Sequence, residues 1–323
     1  MDANGNIWLF GGECYNSYPS NQSGHSVSRS DLWKYNTTNN KWTWVAGNAT
    51  DGEAGNANLP HGRHRVRGWL DNSGNFCIFG GCYGQVIDPR TGNNIDWSDP
   101  SAYQYEVNVG YNDLWKYNTS TNQWTCESGD ANVGRAIQQP SGNYPAAAGI
   151  GGTQYLPRAR ADYGYWKDNN DNFWVYGGYT GDAHAGGVQH NLDLWKYKPS
   201  TREWTLASGS LSNNVDQLQT TTAPGSQVEP LCWVGNDGNL WMYLTGQRSV
   251  WKFNIGTNNW ESVAYRNDDA HTSSAVTAGE GIEDPNNLPG TQVTTFNHIK
   301  PVPTYTYSMG MEMVIIPTVL EMV

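Results

Sequence analysis

The chain has 323 residues, a net charge of −11 and 15% charged residues, with 37 glycines, 16 tryptophans and 19 tyrosines against 6 phenylalanines. That composition excludes a coiled coil or helical bundle, which is rich in Ala, Glu, Lys and Leu, and a disordered chain, which is poor in aromatics. The acidic balance argues against a nucleic-acid binder, because phosphate contacts need clustered Lys and Arg.

In chain order, Met1-Asp2-Ala3-Asn4-Gly5-Asn6 leads straight into the apolar run Ile7-Trp8-Leu9-Phe10. A signal peptide needs a basic start and a longer apolar core, so this is read as a strand. No run of about 18 apolar residues follows anywhere, so no membrane-spanning helix is expected. The first run ends in Gly11-Gly12, and a variable loop leads to Leu32-Trp33-Lys34-Tyr35 and Trp42. The same succession recurs from Ser73-Gly74-Asn75 through Gly80-Gly81 to Leu114-Trp115-Lys116-Tyr117 and Trp124. A third copy runs from Asp171-Asn172 through Gly177-Gly178 to Leu194-Trp195-Lys196-Tyr197 and Trp204. A fourth runs from Asp237-Gly238-Asn239 to Val250-Trp251-Lys252-Phe253 and Trp260, without the Gly pair.

The two tryptophans of each copy are nine residues apart every time, 33 to 42, 115 to 124, 195 to 204 and 251 to 260. A fixed offset in four copies marks one repeated supersecondary unit. The apolar runs are short, aromatic or β-branched and bounded by turn residues, as strands are, and Asn-Gly or Asp-Gly between two of them marks a hairpin. Arg67–Leu70, 163–167 and 231–235 fill the slot of an inner strand before the turn in copies two to four. The eight spaced tryptophans are expected in the core.

A Gly pair after an apolar strand, followed by a spaced Tyr and Trp, resembles the kelch repeat. The resemblance covers roughly residues 1–263 and implies an all-β, kelch-type β-propeller of at least four four-stranded antiparallel blades in a single domain. Blade one is expected at about 1–46, blade two at 63–127, blade three at 158–207 and blade four at 230–264, with a long loop at 265–300. Kelch propellers usually have six or seven blades. Two readings of residues 301–323 therefore stand: a fifth-blade inner strand of a larger ring, or a strand at 305–316 that closes a small ring on Ile7–Phe10. Donation of that strand to a second copy, giving a filament, is the intermolecular alternative.

Function is sought where the copies differ. The connections between the second and third strands span 13–30, 82–112, 179–191 and 247–249; those between copies span 46–63, 127–158, 207–229 and 264–300. Both sets emerge at one end of an antiparallel four-stranded sheet. Tyr15, Tyr18, Tyr83, Trp97, Tyr103, Tyr105, Tyr144 and Tyr155 lie there and are candidates to bind a protein or a carbohydrate, unless they serve as local cores of the loops. Sequons at Asn21, Asn36, Asn48 and Asn118 are candidate glycosylation sites. They favour an extracellular or cell-surface location over a cytoplasmic one.

Five cysteines leave at least one unpaired within the chain. Cys14 and Cys82 follow Gly pairs in neighbouring copies and are the expected disulfide, with Cys77 and Cys126 as the alternative. Resemblance to galactose oxidase blades raises a copper-radical oxidase, for which His61 and His64, or His184 and His190, near Cys77 or Cys82 would have to serve. The acidic turns at Asp2 and Asp168 resemble calcium loops but lack the later Glu. No catalytic motif, metal site or cofactor fingerprint is identified. The reading is therefore a non-enzymatic interaction or structural module, with the oxidase and an intracellular kelch adaptor or cytoskeletal protein as alternatives.

Overall fold

A computed structural model describes residues 1–16, 25–47, 58–88, 93–94, 105–129, 143–180, 189–209, 223–225, 229–244, 247 and 249–265. The described residues are all-β and antiparallel, with no helix. Accordingly, no helix among them is long and apolar enough to cross a membrane.

Four main sheets follow the repeat. The second contains Arg67–Leu70, Phe76–Phe79, Leu114–Asn118 and Gln123–Ser128, paired in that order. The third contains Gly164–Lys167, Phe173–Tyr176, Leu194–Lys198 and Glu203–Ser208, with Gly151–Gly152 added to its outer edge. The fourth contains Leu231–Val234, Leu240–Leu244, Ser249–Asn254 and Asn259–Tyr265. The first has three strands, Ile7–Phe10, Leu32–Asn36 and Lys41–Ala46. Among the described residues nothing pairs with the inner edge of Ile7–Phe10; residues 305–316 lie outside them.

One local device repeats in all four sheets. The register slips just before the tryptophan of the third strand, between Leu32 and Trp33, Leu114 and Trp115, Leu194 and Trp195, and Val250 and Trp251. Such a bulge re-aims one side chain, and it lets both Leu114 and Trp115, and both Leu194 and Trp195, be buried.

The sheets stack face on face. The front face of each packs on the rear face of the next. Trp8 and Phe10 meet Phe76 and Trp124, with ring centroids 6.2 and 5.3 Å apart. Trp69 and Phe79 meet Phe173 and Trp204, both at 5.0 Å. Trp174 and Tyr176 meet Phe253 and Trp260, at 5.8 and 5.1 Å. Indoles lock the inner strands across the same interfaces: Trp69 donates to the Trp166 carbonyl and Trp166 to that of Trp241.

This stacking corrects one expectation. Trp115, Trp124, Trp195, Trp204 and Trp251 are buried, and Trp33 and Trp260 are half-buried, but Trp42 is 47% exposed. Its counterpart Trp204 is fully buried because the second sheet covers it. No described sheet stands behind the first.

The register also fixes the two ends of each sheet. Arg67, Phe79, Leu114 and Ser128 share one end of the second sheet, and Leu70, Phe76 and the turn after Asn118 share the other. The long connections leave from the first end. There they fold into hairpins of their own: Glu13–Asn16 with His25–Ser28, Cys82–Asp88 with Tyr105–Gly110 and Asn93–Asn94, and Tyr179–Thr180 with Gln189–His190.

Candidate functional site

The loop end is built on a repeated ion pair. Arg63 stands four residues before the inner strand of the second sheet, and Asp113 immediately before its Leu-Trp-Lys-Tyr strand. The guanidinium grips the carboxylate with two nitrogens, at 2.5 and 2.9 Å, and donates to the carbonyls of Gly80 and His61. Asp113 also accepts from the Trp115 indole at 2.7 Å. Arg160 repeats this with Asp193 at 2.9 and 3.0 Å, the Gly177 carbonyl and the Trp195 indole. Both arginines are wholly buried. Burial alone would lower their pKa, but the facing carboxylates hold each above its ordinary value. Burial would likewise raise Asp193, yet the charge and hydrogen bonds of Arg160, with Trp195 and Tyr144, hold it below the usual carboxylate range.

The Gly pair lets the next connection cross this latch. Gly81 donates its N–H to the Arg160 carbonyl, and a Cβ on Gly80 would sit 2.7 Å from that same oxygen. Gly80 also has φ +61°, a conformation that favours glycine.

Above the latches, Arg65, Asp162 and Glu229 each stand two residues before an inner strand. All three are left-handed, with φ of 54°, 52° and 53°, as are Asn40, Asn122, Asp171, Arg202 and Asn258 in the turns at the other end. Arg65 donates to the Tyr179 hydroxyl and lies 3.5 Å from the Asp162 carboxylate in the neighbouring sheet. Arg67 reaches Glu229 at 3.9 Å. The Glu229 side chain is exposed and that of Arg65 partly so, which leaves charge of both signs at the surface.

Beside Arg65 lies a buried relay. The Cys82 thiol is 3.3 Å from Nε2 of His64, and Nδ1 of the same ring is 2.9 Å from the Ser28 hydroxyl. An imidazole so placed can take a thiol proton, but Cys82 is only 2% exposed. Cys82, Cys77, Cys126 and Cys232 form no disulfide. The expected Cys14–Cys82 bond is therefore not formed, because the Cys82 sulfur is held against the His64 ring. The alternative pair is also unbridged: Cys77 and Cys126 lie on strands separated by Leu114–Asn118. Burial pushes the Cys77 thiol well up and that of Cys232 to about 12.

The structure separates the predicted site residues. Tyr83 is half-buried, with its ring 5.9 Å from that of Tyr111, which in turn stacks on His61 and carries the Arg63 guanidinium 4.0 Å over its face. Tyr144 is a core residue: its hydroxyl donates to Asp193 at 2.9 Å and its ring packs edge-on against Trp195. Tyr155 packs half-buried on the same cluster. Tyr15 and Tyr105 are placed in hairpin strands by their backbones alone. Tyr18, Trp97 and Tyr103 lie outside the described residues, as do Asn21, Asn48 and His184.

Asn36 and Asn118 owe their recurrence to the turn. Each side-chain oxygen accepts from the N–H groups two and three residues on, an Asx turn. Asn254 does the same without a sequon. The acidic turns are equally occupied: Asp168 accepts from Asn170, Asn172 and the Trp174 indole, and Asp2 from Asn4, Asn6 and the Trp8 indole. Those bonds close hairpins and take up the carboxylate oxygens a calcium ion would need. His61 stacks on Tyr111 while His64 turns to Cys82 and Ser28, and no three His, Cys, Asp or Glu converge among the described residues.

Sequence reasoning missed the Arg–Asp latches and the left-handed residues. The latches had a signal in the sequence: Asp precedes Leu-Trp-Lys-Tyr three times, and Arg stands four residues before two inner strands. The φ angles had little: Asp is enriched in left-handed backbone, but Arg and Glu are not.

No protein-family profile matches this chain, and no curated protein is similar to it. Among solved structures it is similar to one titled "Structure of YjhT", at 15% identity and a TM-score of 0.42, over 75% of this chain and 62% of that one.

Proposed function

We propose that the four sheets are kelch-type blades of a β-propeller, and that the chain is a non-enzymatic, extracellular or cell-surface module that binds a protein or carbohydrate through its loop end. One observation carries this reading. At that end Arg65 and Glu229 carry partly exposed charge of both signs, with Arg65 bonded to the Tyr179 hydroxyl, on a scaffold locked by buried ion pairs. Charge of both signs next to aromatic rings suits a polar ligand with ring faces to stack. The opposite end offers only short turns whose polar groups bond to one another.

The test is a binding screen of neutral and acidic oligosaccharides and of extracellular polypeptides, read by calorimetry. A ligand found this way should lose at least about tenfold in affinity, roughly 1.4 kcal/mol, with Arg65→Ala or Tyr83→Ala. It should keep its affinity with Asn118→Ala at the opposite end. Binding untouched by both loop-end variants would refute the reading, as would turnover of the bound compound.

A further inference from the structure

Among the described residues, three copies of one sheet-to-sheet contact are formed, and two matching halves of a fourth stay uncovered. The rear half is seen bare on the first sheet. In the second sheet the equivalent Phe76, Tyr117 and Trp124 are buried, as are Phe173, Tyr197 and Trp204 in the third. In the first sheet Ile7 and Tyr35 are half-buried, and Trp42 and Trp44 are 47% and 52% exposed. The front half is bare on the fourth sheet. Its inner-strand Trp233 is 42% exposed, whereas its counterparts Trp69 and Trp166 are buried and give their indole N–H to the next sheet. Trp233 stacks on Trp241 at 6.1 Å, and the Lys252 ammonium lies 5.5 Å over the Trp241 ring. Exposed contiguous aromatic faces of this kind mark interaction sites.

We propose that these two faces belong together, and that the chain associates head to tail: the fourth sheet of one molecule seats its front face on the rear face of the first sheet of another. The occupant is a second copy because the matching surface is already on the same chain, and its complementarity is displayed three times inside the molecule. Trp233 of one copy takes the place of Trp69 or Trp166, and Trp42 of the other takes the place of Trp124 or Trp204. A contact between two different patches is heterologous, so each copy uses one patch and offers the other. This association does not depend on what the loop end binds.

Light scattering on the full chain, with Trp42→Glu and Trp233→Glu, tests it. Wild-type mass should rise with concentration above that of one chain. Each variant alone should stay at the mass of one chain, because one half of the contact carries a buried charge. Both side chains are exposed, so each variant should keep the wild-type far-ultraviolet spectrum, and either one that folds suffices for this arm. An equimolar mixture of the two has one intact pair of faces and should stop at two chains. A wild-type chain that stays single at all concentrations overturns the proposal. So does assembly that survives either substitution, or a mixture in which two folded variants stay single.

Discussion

The first and third sheets share the strand Leu-Trp-Lys-Tyr, the bulge before its tryptophan and the closing tryptophan nine residues on. Their fates differ. Trp195 and Trp204 are fully buried, whereas Trp33 is half-buried and Trp42 exposed. The Asp193 carboxylate is clamped by Arg160, while that of Asp31 accepts from the Trp33 indole, at 2.6 Å. The same residues thus form the same strands, but burial and charge pairing come from neighbours. The third sheet has a sheet on either side and an arginine ahead of its inner strand; among the described residues no sheet stands behind the first. Local pattern sets secondary structure, and stacking sets the energy.

The largest expected effect breaks the comparison at the closing tryptophan. Trp204→Ala should cost about 3–5 kcal/mol, the usual result of emptying a buried aromatic site. Trp42→Ala should fall within about 0.5 kcal/mol, as exposed substitutions do. Urea melts of the two variants check this, and equal losses would mean that Trp42 is covered in solution. Trp115→Ala belongs with Trp204→Ala, since Trp115 is fully buried.

Next comes the latch. Arg160→Ala leaves the Asp193 carboxylate buried without its partner, which costs about 3 kcal/mol or more. Asp31→Ala removes one hydrogen bond at a half-buried place and should cost about 1 kcal/mol. Arg160→Lys should recover only part of the loss, because an ammonium cannot make the paired contacts of a guanidinium. Thermal melts of the three variants order these effects.

How far the sequence reaches follows from the same contrast. Strands, turns and their order were readable because Gly pairs, Asx turns and aromatic runs act within a few residues. The inner strands expected at Arg67–Leu70, 163–167 and 231–235 are found at Arg67–Leu70, Gly164–Lys167 and Leu231–Val234. Which tryptophan is buried was not readable, because Trp42 and Trp204 sit in the same local pattern and differ only in what stands behind them. The thiol was misread for a similar reason. Cys82 looks like a disulfide partner when only chain spacing is counted, but His64 occupies its sulfur from another segment 18 residues away. At the loop end, Tyr83 and Tyr144 carry the same local signal in different surroundings. A tyrosine in a polar loop looks the same whether its hydroxyl faces solvent or, like that of Tyr144, bonds to a buried Asp193.

Acid sharpens the latch comparison. The folded-state pKa of Asp193 lies below its ordinary value of 3.8. Its contribution to stability is therefore fully present above that value and is lost as the pH falls towards the lowered one. Stability measured by urea melts between neutral pH and about pH 2 should decline through that window. Asp193→Asn should start lower at neutral pH and decline less steeply. A decline of equal slope in the variant would place the acid sensitivity elsewhere.

The smallest expected effect separates the two readings of the paired turns at Asn36 and Asn118. Both side chains hold an Asx turn through the amide oxygen alone. Asn118→Asp keeps an acceptor oxygen and destroys the sequon, so it should change stability by less than about 0.5 kcal/mol. Asn118→Ala removes the acceptor and should cost about 1 kcal/mol, the net worth of a hydrogen bond. Asn254→Ala, in a turn with no sequon, should match it. Stability measured on protein made with and without a secretory pathway then decides what Asn118 is for. If only the turn matters, the order Asp above Ala is the same in both preparations. If the amide carries a glycan that the chain depends on, Asn118→Asp falls to the level of Asn118→Ala in the secreted protein alone, and Asn254→Ala does not change.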